Sequence, residues 1–201
     1  IEDLTWAPAR SRLLPVHVRT RNGMLGSAKA FCRWLYEQNH AAADAAQRVE
    51  YAREPETLPR NVPSEEQVEK LLSAPDGQTL LGFRDRTILE LLYATGVRVG
   101  ELVALDVADV DLETRFVRVR HGKGDKERVV PLGERAAGTA ASYIAGVRPL
   151  LANGDVPALL FSKYGRRLGT KSVEVLIAAY AKTAELPHLT PHALRHACAT
   201  H

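Results

Sequence analysis

Between residues 19 and 39, Leu25, Ala28, Phe31, Cys32 and Leu35 recur at three- and four-residue intervals, which predicts an amphipathic helix with one apolar stripe. Arg19, Arg21, Lys29 and Arg33 fall mostly off that stripe. The following stretch, AAADAAQRVEYAREPETLPRNVP, ends in Pro55, Pro59 and Pro63. Spaced prolines restrict φ and remove backbone donors, so an extended connector is expected there. The expected organisation is an N-terminal helical domain over residues 1–54, a linker over 55–63 and a larger domain over 64–201.

Ser64, with Gln67 three residues on and Val68, Leu71 and Leu72 behind it, has the form of a capping box that opens a helix. From Phe83 to Ala94, the run containing Ile88, Leu89, Leu91 and Leu92 predicts an apolar helix that Gly96 can end in the left-handed conformation. Glu101, Leu102 and Leu105 continue as a further short helix. The period then changes. Phe116, Val117, Arg118, Val119 and Arg120 alternate apolar and basic, as a half-buried strand does. Residues 121–126, HGKGDK, read as a turn, and Glu127 to Leu132 as the returning strand. Helical patterns resume over 134–146 and 171–185, and a last helix begins near Pro191. The fold class is therefore α+β, mostly helical, with a small antiparallel sheet.

Composition adds little to this picture: 45% hydrophobic and 25% charged over 201 residues is ordinary for a globular chain. No uninterrupted apolar run approaches the roughly 18 residues of a membrane helix, and the first residues lack a signal-peptide pattern. Cys32 and Cys198 are too few for a disulfide framework, which points to a reduced, cytoplasmic setting. Charge changes the picture more. Lys/Arg against Asp/Glu number nine to seven over residues 1–63, four to eleven over 64–114, and fourteen to six over 115–201. A basic C-terminal part beside an acidic middle suggests an anionic partner met by one face.

Four clusters could carry chemistry. Arg98 follows the helix-ending Gly96 and has Glu101 one turn later; a guanidinium near a core needs an anion, either that carboxylate or an external phosphate. Taken alone, an ordinary i,i+3 ion pair is the better account of it. Lys123 sits between Gly122 and Gly124 at the hairpin tip, in a spacing unlike that of a nucleotide-binding loop. Arg195 and His192 lie one turn apart at the start of the last helix, where the helix terminus favours an anion. His196 follows His192 at i,i+4, but the general-base glutamate of a zinc-protease helix is missing, so no metal site is expected. Finally Lys163, Arg166, Arg167 and Lys171, with Tyr164 among them, have the composition of contacts to a nucleic-acid backbone. Two arginines, a lysine and a histidine on separate elements are what phosphoryl transfer requires.

In their order and separation these residues resemble the tyrosine recombinases, or phage-integrase family, and within it the Xer-like enzymes. The resemblance is carried by ATGVRVGELVALDVADVDL, then VRVRHGKGDKERVVPL, then LTPHALRHACATH, and runs from about Leu58 to His201, more weakly back to Arg19. It implies a recombinase catalytic fold preceded by a partial core-binding domain. Arg98 and Arg195 would hold the scissile phosphate, Lys123 would act as general acid for the departing 5′ oxygen, His192 would be the histidine of the H-x-x-R motif, and Glu101 would support the site. Lys126, Arg128, Lys163, Arg166, Arg167 and Lys171 would contact DNA.

It further implies double-stranded DNA as partner, no metal or cofactor, tetramers of the intact protein on paired sites, and a place on the nucleoid. The family's tyrosine nucleophile follows the H-x-x-R helix, whereas Tyr36, Tyr51, Tyr93, Tyr143, Tyr164 and Tyr180 all precede His192. The chain, starting at Ile1 and stopping at His201, is therefore expected to be a fragment that is monomeric off DNA and unable to cleave it. A DNA-binding module that has lost cleavage is the alternative from a different class. A type IB topoisomerase shares the chemistry, but the compact hairpin and short chain favour the integrase branch.

Overall fold

The computed structural model describes residues 17–53, 62–120, 126–186 and 189–201, and the backbone divides into two units, Ile1–Leu58 and Pro59–His201. In the first, α1 (Val18–Glu37) is a single long helix whose half-buried positions are Val18, Asn22, Leu25, Gly26, Lys29, Cys32 and Leu35. This row faces the returning segment 41–53. The Asn22 side chain donates to the Ala52 carbonyl at 2.8 Å and accepts from the Ala52 amide at 3.0 Å.

Lys29 belongs to that row and not to the solvent face expected for it. Its ammonium donates to the Val49 carbonyl at 2.6 Å and the Gln47 carbonyl at 3.2 Å and lies over the Tyr51 ring. A lysine can line a packed face when carbonyls meet its charged end. Phe31, which the apolar spacing assigned to the packed stripe, is more than half exposed and stacks on Trp34.

The second unit begins with α2 (Glu65–Ser73), opened by the capping box: Ser64 accepts from the Gln67 amide and Gln67 accepts from the Ser64 amide at 2.9 Å. Next comes α3 (Leu80–Thr95), capped by Thr79 and buried on several faces. Ile88, Leu89, Leu91 and Leu92 are all inaccessible or nearly so, which makes α3 the axis of the core. Its buried polar residues are met in kind. Arg84 pairs with Asp85 and donates to the Phe161 carbonyl, while Tyr180 donates to Asp85 at 3.0 Å. Glu90 accepts from Arg135 at 2.7 Å. An unpaired charge at either place would cost several kcal/mol.

Gly96 terminates α3 in the left-handed conformation (φ 57°), and the chain reverses into α4 (Val99–Ala104). A three-residue helical turn leads to a sheet of β1 (Val110–Asp111), β2 (Phe116–Val119) and β3 (Arg128–Pro131), antiparallel in that order. The two-residue β1 has no signal in the alternation pattern and is held by pairing Val110 with Val117. Val117 and Val119 are buried while Phe116 is exposed, as alternation requires.

Helices α5 (Glu134–Ser142), α6 (Arg148–Leu151), α7 (Thr170–Thr183) and α8 (Pro191–Thr200) complete the unit. A π-helical turn at Tyr143–Val147 joins α5 to α6 and turns Tyr143 fully into the core. Leu194 and Ala197 bury α8 in the same core.

Gly96 joins two requirements. A Cβ there would meet a φ that disfavours side chains and would stand 3.1 Å from Cys198 Sγ on α8. Gly96→Ala should therefore lower the unfolding free energy by roughly 1–2 kcal/mol in urea titration. Cys198→Ala in the same chain should restore the steric share. An unaltered transition midpoint for the single variant would show that this turn is not held as described.

Candidate active site

Three stretches of chain far apart in sequence meet at the start of α4. Arg98 is the residue before the helix, and its amide donates to Glu101 Oε2 at 2.8 Å, so Glu101 caps the helix that carries it. The Arg98 guanidinium returns to Glu101 Oε1 at 2.9 Å. From β3, Arg128 makes a fork to the same carboxylate, Nη1 to Oε1 at 3.0 Å and Nη2 to Oε2 at 2.6 Å. From α8, Arg195 brings Nη1 to 4.0 Å from Glu101 Oε2. One carboxylate, with a side chain only 6% exposed, thus holds three guanidiniums.

Burial alone would push the Glu101 carboxyl up. The hydrogen bonds from Arg128, then from the Arg98 amide and side chain, outweigh it and bring the group down to about 2.

The arginines are not used up by this. The Arg98 side chain is half exposed and that of Arg195 about one-third. Arg195 Nη1 is buried and makes no hydrogen bond within the protein. A buried donor without a hydrogen bond is costly, and here it belongs to a cluster of three positive charges on one negative charge. The arrangement suits a second anion with several acceptor oxygens, which guanidiniums bind in fork geometry.

Local sequence places each member. Gly96 reverses the chain two residues before Arg98. Thr190 accepts from the Ala193 amide at 3.1 Å and Pro191 takes the first helical position, which fixes the start of α8 and hence Arg195 one turn in. His192 lies one turn before Arg195 on the same helix, exposed, with Nε2 3.0 Å from Nε2 of His196. Lys123 falls in residues 121–125, outside the described residues. The described residues on either side of 121–125 are tethered. Arg120 Nε donates to the buried Asp109 at 2.7 Å, and Arg128 is held by Glu101.

The remaining basic residues separate into two groups. Lys126 is exposed, Lys163 lies over the Tyr164 ring, Arg166 is exposed, and Lys171 pairs with Glu174 across an open surface. Arg167 behaves differently. Its guanidinium donates to the Val103 and Leu105 carbonyls at the end of α4 and to Asp106, so it fastens the 161–168 segment to the helix that carries Glu101.

Arg128 likewise is committed to Glu101, which makes it a member of the cluster. Its signal in the sequence was the strand register. Arg128 pairs with Val119, whose side chain is buried, and directly paired residues share a face. Among the described residues no group of three His, Cys, Asp or Glu side chains could hold a metal ion, and no helix is long and apolar enough to cross a membrane.

Comparison with known proteins follows the same residues. The phage integrase family matches residues 62–201. A tyrosine recombinase XerC 2 of Ralstonia nicotianae is 38% identical over 189 residues, covering 93% of this chain and 54% of its own length. The crystal structure of a XerA recombinase superposes with TM-score 0.64 at 31% identity, over 86% of this chain and 59% of that one. Lambda integrase (residues 75–356) bound to DNA shares the fold, with TM-score 0.68 at 17% identity over 90% of this chain and 64% of that one. The chain thus spans a little over half the length of the curated relative it matches.

The depressed Glu101 carboxyl fixes the sign of an acid effect. Its ordinary value is 4.5 and its folded value about 2. The stability it contributes is present above about pH 4.5 and is lost as pH falls through 2. Glu101→Gln should lower stability at pH 7 by up to about 3 kcal/mol and flatten the decline between pH 5 and 2, read by urea melts across that range. Arg128→Ala should move the decline to higher pH. Parallel pH profiles for wild type and Glu101→Gln would refute the cluster.

Proposed function

The chain belongs to the phage integrase family, and from that premise we propose that it is the phosphate-gripping part of a site-specific DNA recombinase, which breaks and rejoins duplex DNA through a 3′-phosphotyrosyl intermediate. The observation that carries this reading is the convergence of Arg98 and Arg195 on Glu101, with Arg195 Nη1 buried, 4.0 Å from that carboxylate and without a hydrogen bond in the protein.

Arg98 and Arg195 receive the two nonbridging oxygens of one phosphodiester. Their positive charge is fixed before the negative charge on the pentavalent phosphorus develops, so no reorganisation is needed as it forms. The tyrosine oxygen attacks phosphorus, the bond from phosphorus to the 5′ oxygen breaks, and the ester energy is kept for rejoining. His192 takes the tyrosine proton and Lys123 gives one to the departing 5′ oxygen. Lys123 is only five residues along the chain from Arg128, a reach of at most about 18 Å, which allows its side chain to meet a phosphate held at the cluster. Glu101 and Arg128 are positioning residues. They touch the two clamping arginines or each other, not the substrate.

The attacking hydroxyl is assigned to no tyrosine of this chain. The Tyr93 hydroxyl meets His201 Nδ1 at 2.9 Å, Tyr180 donates to Asp85, Tyr143 is buried and the Tyr164 ring lies under Lys163. On this reading residues 1–201 bind duplex DNA and supply the phosphate grip, not the attacking hydroxyl. In the intact protein, four copies on two paired sites would exchange strands, acting where chromosomal DNA is exposed, in the cytoplasm at the nucleoid.

The exposed Lys126 and Arg166, Lys163 over the Tyr164 ring and Lys171 beside Glu174 supply backbone contacts. The related DNA-bound structure of lambda integrase supports duplex DNA as the ligand class.

Two measurements test this. Affinity of the chain for duplex DNA should fall steeply and linearly on a log–log salt plot, and Lys163→Ala should weaken it with a slope smaller by about one. A suicide duplex should give no covalent adduct with residues 1–201 but a phosphotyrosyl adduct with a chain extended to include a tyrosine after the last helix. In that extended chain, Arg98→Ala or Arg195→Ala should slow adduct formation about 10²-fold or more. Adduct formation at wild-type rate by Arg98→Ala would reject the assigned role.

A further inference from the structure

We propose that His192 and His196 together form a bidentate site for a divalent transition-metal ion of tetragonal preference, nickel(II) or copper(II). The two histidines occupy i and i+4 of α8, both exposed, with Nε2 atoms 3.0 Å apart and ring centroids 4.4 Å apart.

Spacing along a helix permits a chelate, and the two Nε2 atoms already stand within chelating distance of each other. With metal–nitrogen bonds of about 2.0–2.1 Å, a separation of 3.0 Å corresponds to an angle at the metal of roughly 91–97°. That is the cis angle of tetragonal coordination, the geometry copper(II) and nickel(II) favour with nitrogen ligands. A tetrahedral zinc site would need the nitrogens about 3.3 Å apart, so zinc binds only after the rings spread.

The absence of a third His, Cys, Asp or Glu nearby, among the described residues, makes this a two-ligand, reversible site whose other positions belong to water or an anion. Arg195, between the two histidines in sequence, disfavours a bare dication and favours one that brings an anion with it.

The proton balance is simple. Without metal, one Nε2–H donates to the other Nε2. Both lone pairs must face the metal, so that proton moves to Nδ1 of its own ring, and both imidazoles bind as neutral Nδ1–H tautomers. No proton is released and no redox step occurs. Where His192 serves the phosphate as proposed above, an ion on its Nε2 removes it from that task. This inhibitory consequence rests on the proposed function, but the binding itself does not.

The test uses the full 201-residue chain with ¹⁵N-labelled histidine and nickel(II) chloride as probe. Paramagnetic broadening should appear first, and together, at the His192 and His196 imidazoles and be reversed by a chelator. His196→Gln should weaken nickel binding at His192 at least tenfold, with its far-UV circular dichroism checked against wild type. Zinc chloride should bind the wild type more weakly than nickel. Broadening led by any other histidine, or His192 affinity unchanged in His196→Gln, would overturn the proposal. Should the variant misfold, the order of broadening in the wild type decides alone. Loss of DNA adduct in the extended chain without metal binding at His192 would count against the site while leaving the recombinase reading intact.

Discussion

Three guanidiniums cannot share a half-buried site without a counter-charge, and among the described residues Glu101 is the carboxylate that all three approach. Its place in the first turn of α4 serves three ends at once. It satisfies the Arg98 amide, sits where the helix terminus favours negative charge, and reaches Arg128 across from the sheet. The hydrogen bonds hold it ionised well below the usual carboxylate range despite its burial. Because one negative charge faces three positive ones, the cluster as a whole remains cationic. The residue that stabilises the arginines thereby leaves them able to bind an anion.

The rest of the second unit delivers those arginines. The buried α3 supplies the axis, and Gly96 at its end lets α8 approach closely while turning the chain toward Arg98. The sheet brings Arg128 inward through its register with Val119. Arg167 and Arg120 tie the neighbouring segments to Asp106 and Asp109, so the end of α4 and the base of the hairpin are braced by the same carboxylates. Such cross-links between distant stretches make the site a product of the whole core packing.

Much of this was legible in the sequence where chemistry is local. The Ser64–Gln67 capping box, the left-handed Gly96, the alternating strand and the proline at the start of α8 follow from backbone rules that need no tertiary knowledge. The positions of Arg98, Glu101 and Arg195 could be named as well, through the order of three motifs. What could not be read was which basic residues are engaged inside the protein. Lys29, Arg128 and Arg167 look like surface cations in a one-dimensional pattern. Each is instead spent on a carbonyl or carboxylate 18 or more residues away, visible only after the chain has folded. The strand β1 escaped for a related reason, since two residues carry no periodicity and are ordered by their partner. Lys123 lies outside the described residues; what is observed is that Arg120 and Arg128, on either side of residues 121–125, are anchored.

The central claim is that Glu101 organises a cradle for one tetrahedral anion between Arg98 and Arg195. The most direct measurement is a crystal structure of the chain soaked with tungstate and located by anomalous scattering. The account predicts a tungsten peak bridging the Arg98 and Arg195 guanidiniums, with Glu101 still bound by Arg98 and Arg128. Anomalous peaks confined to other basic surfaces, with those two arginines pointing apart, would contradict it.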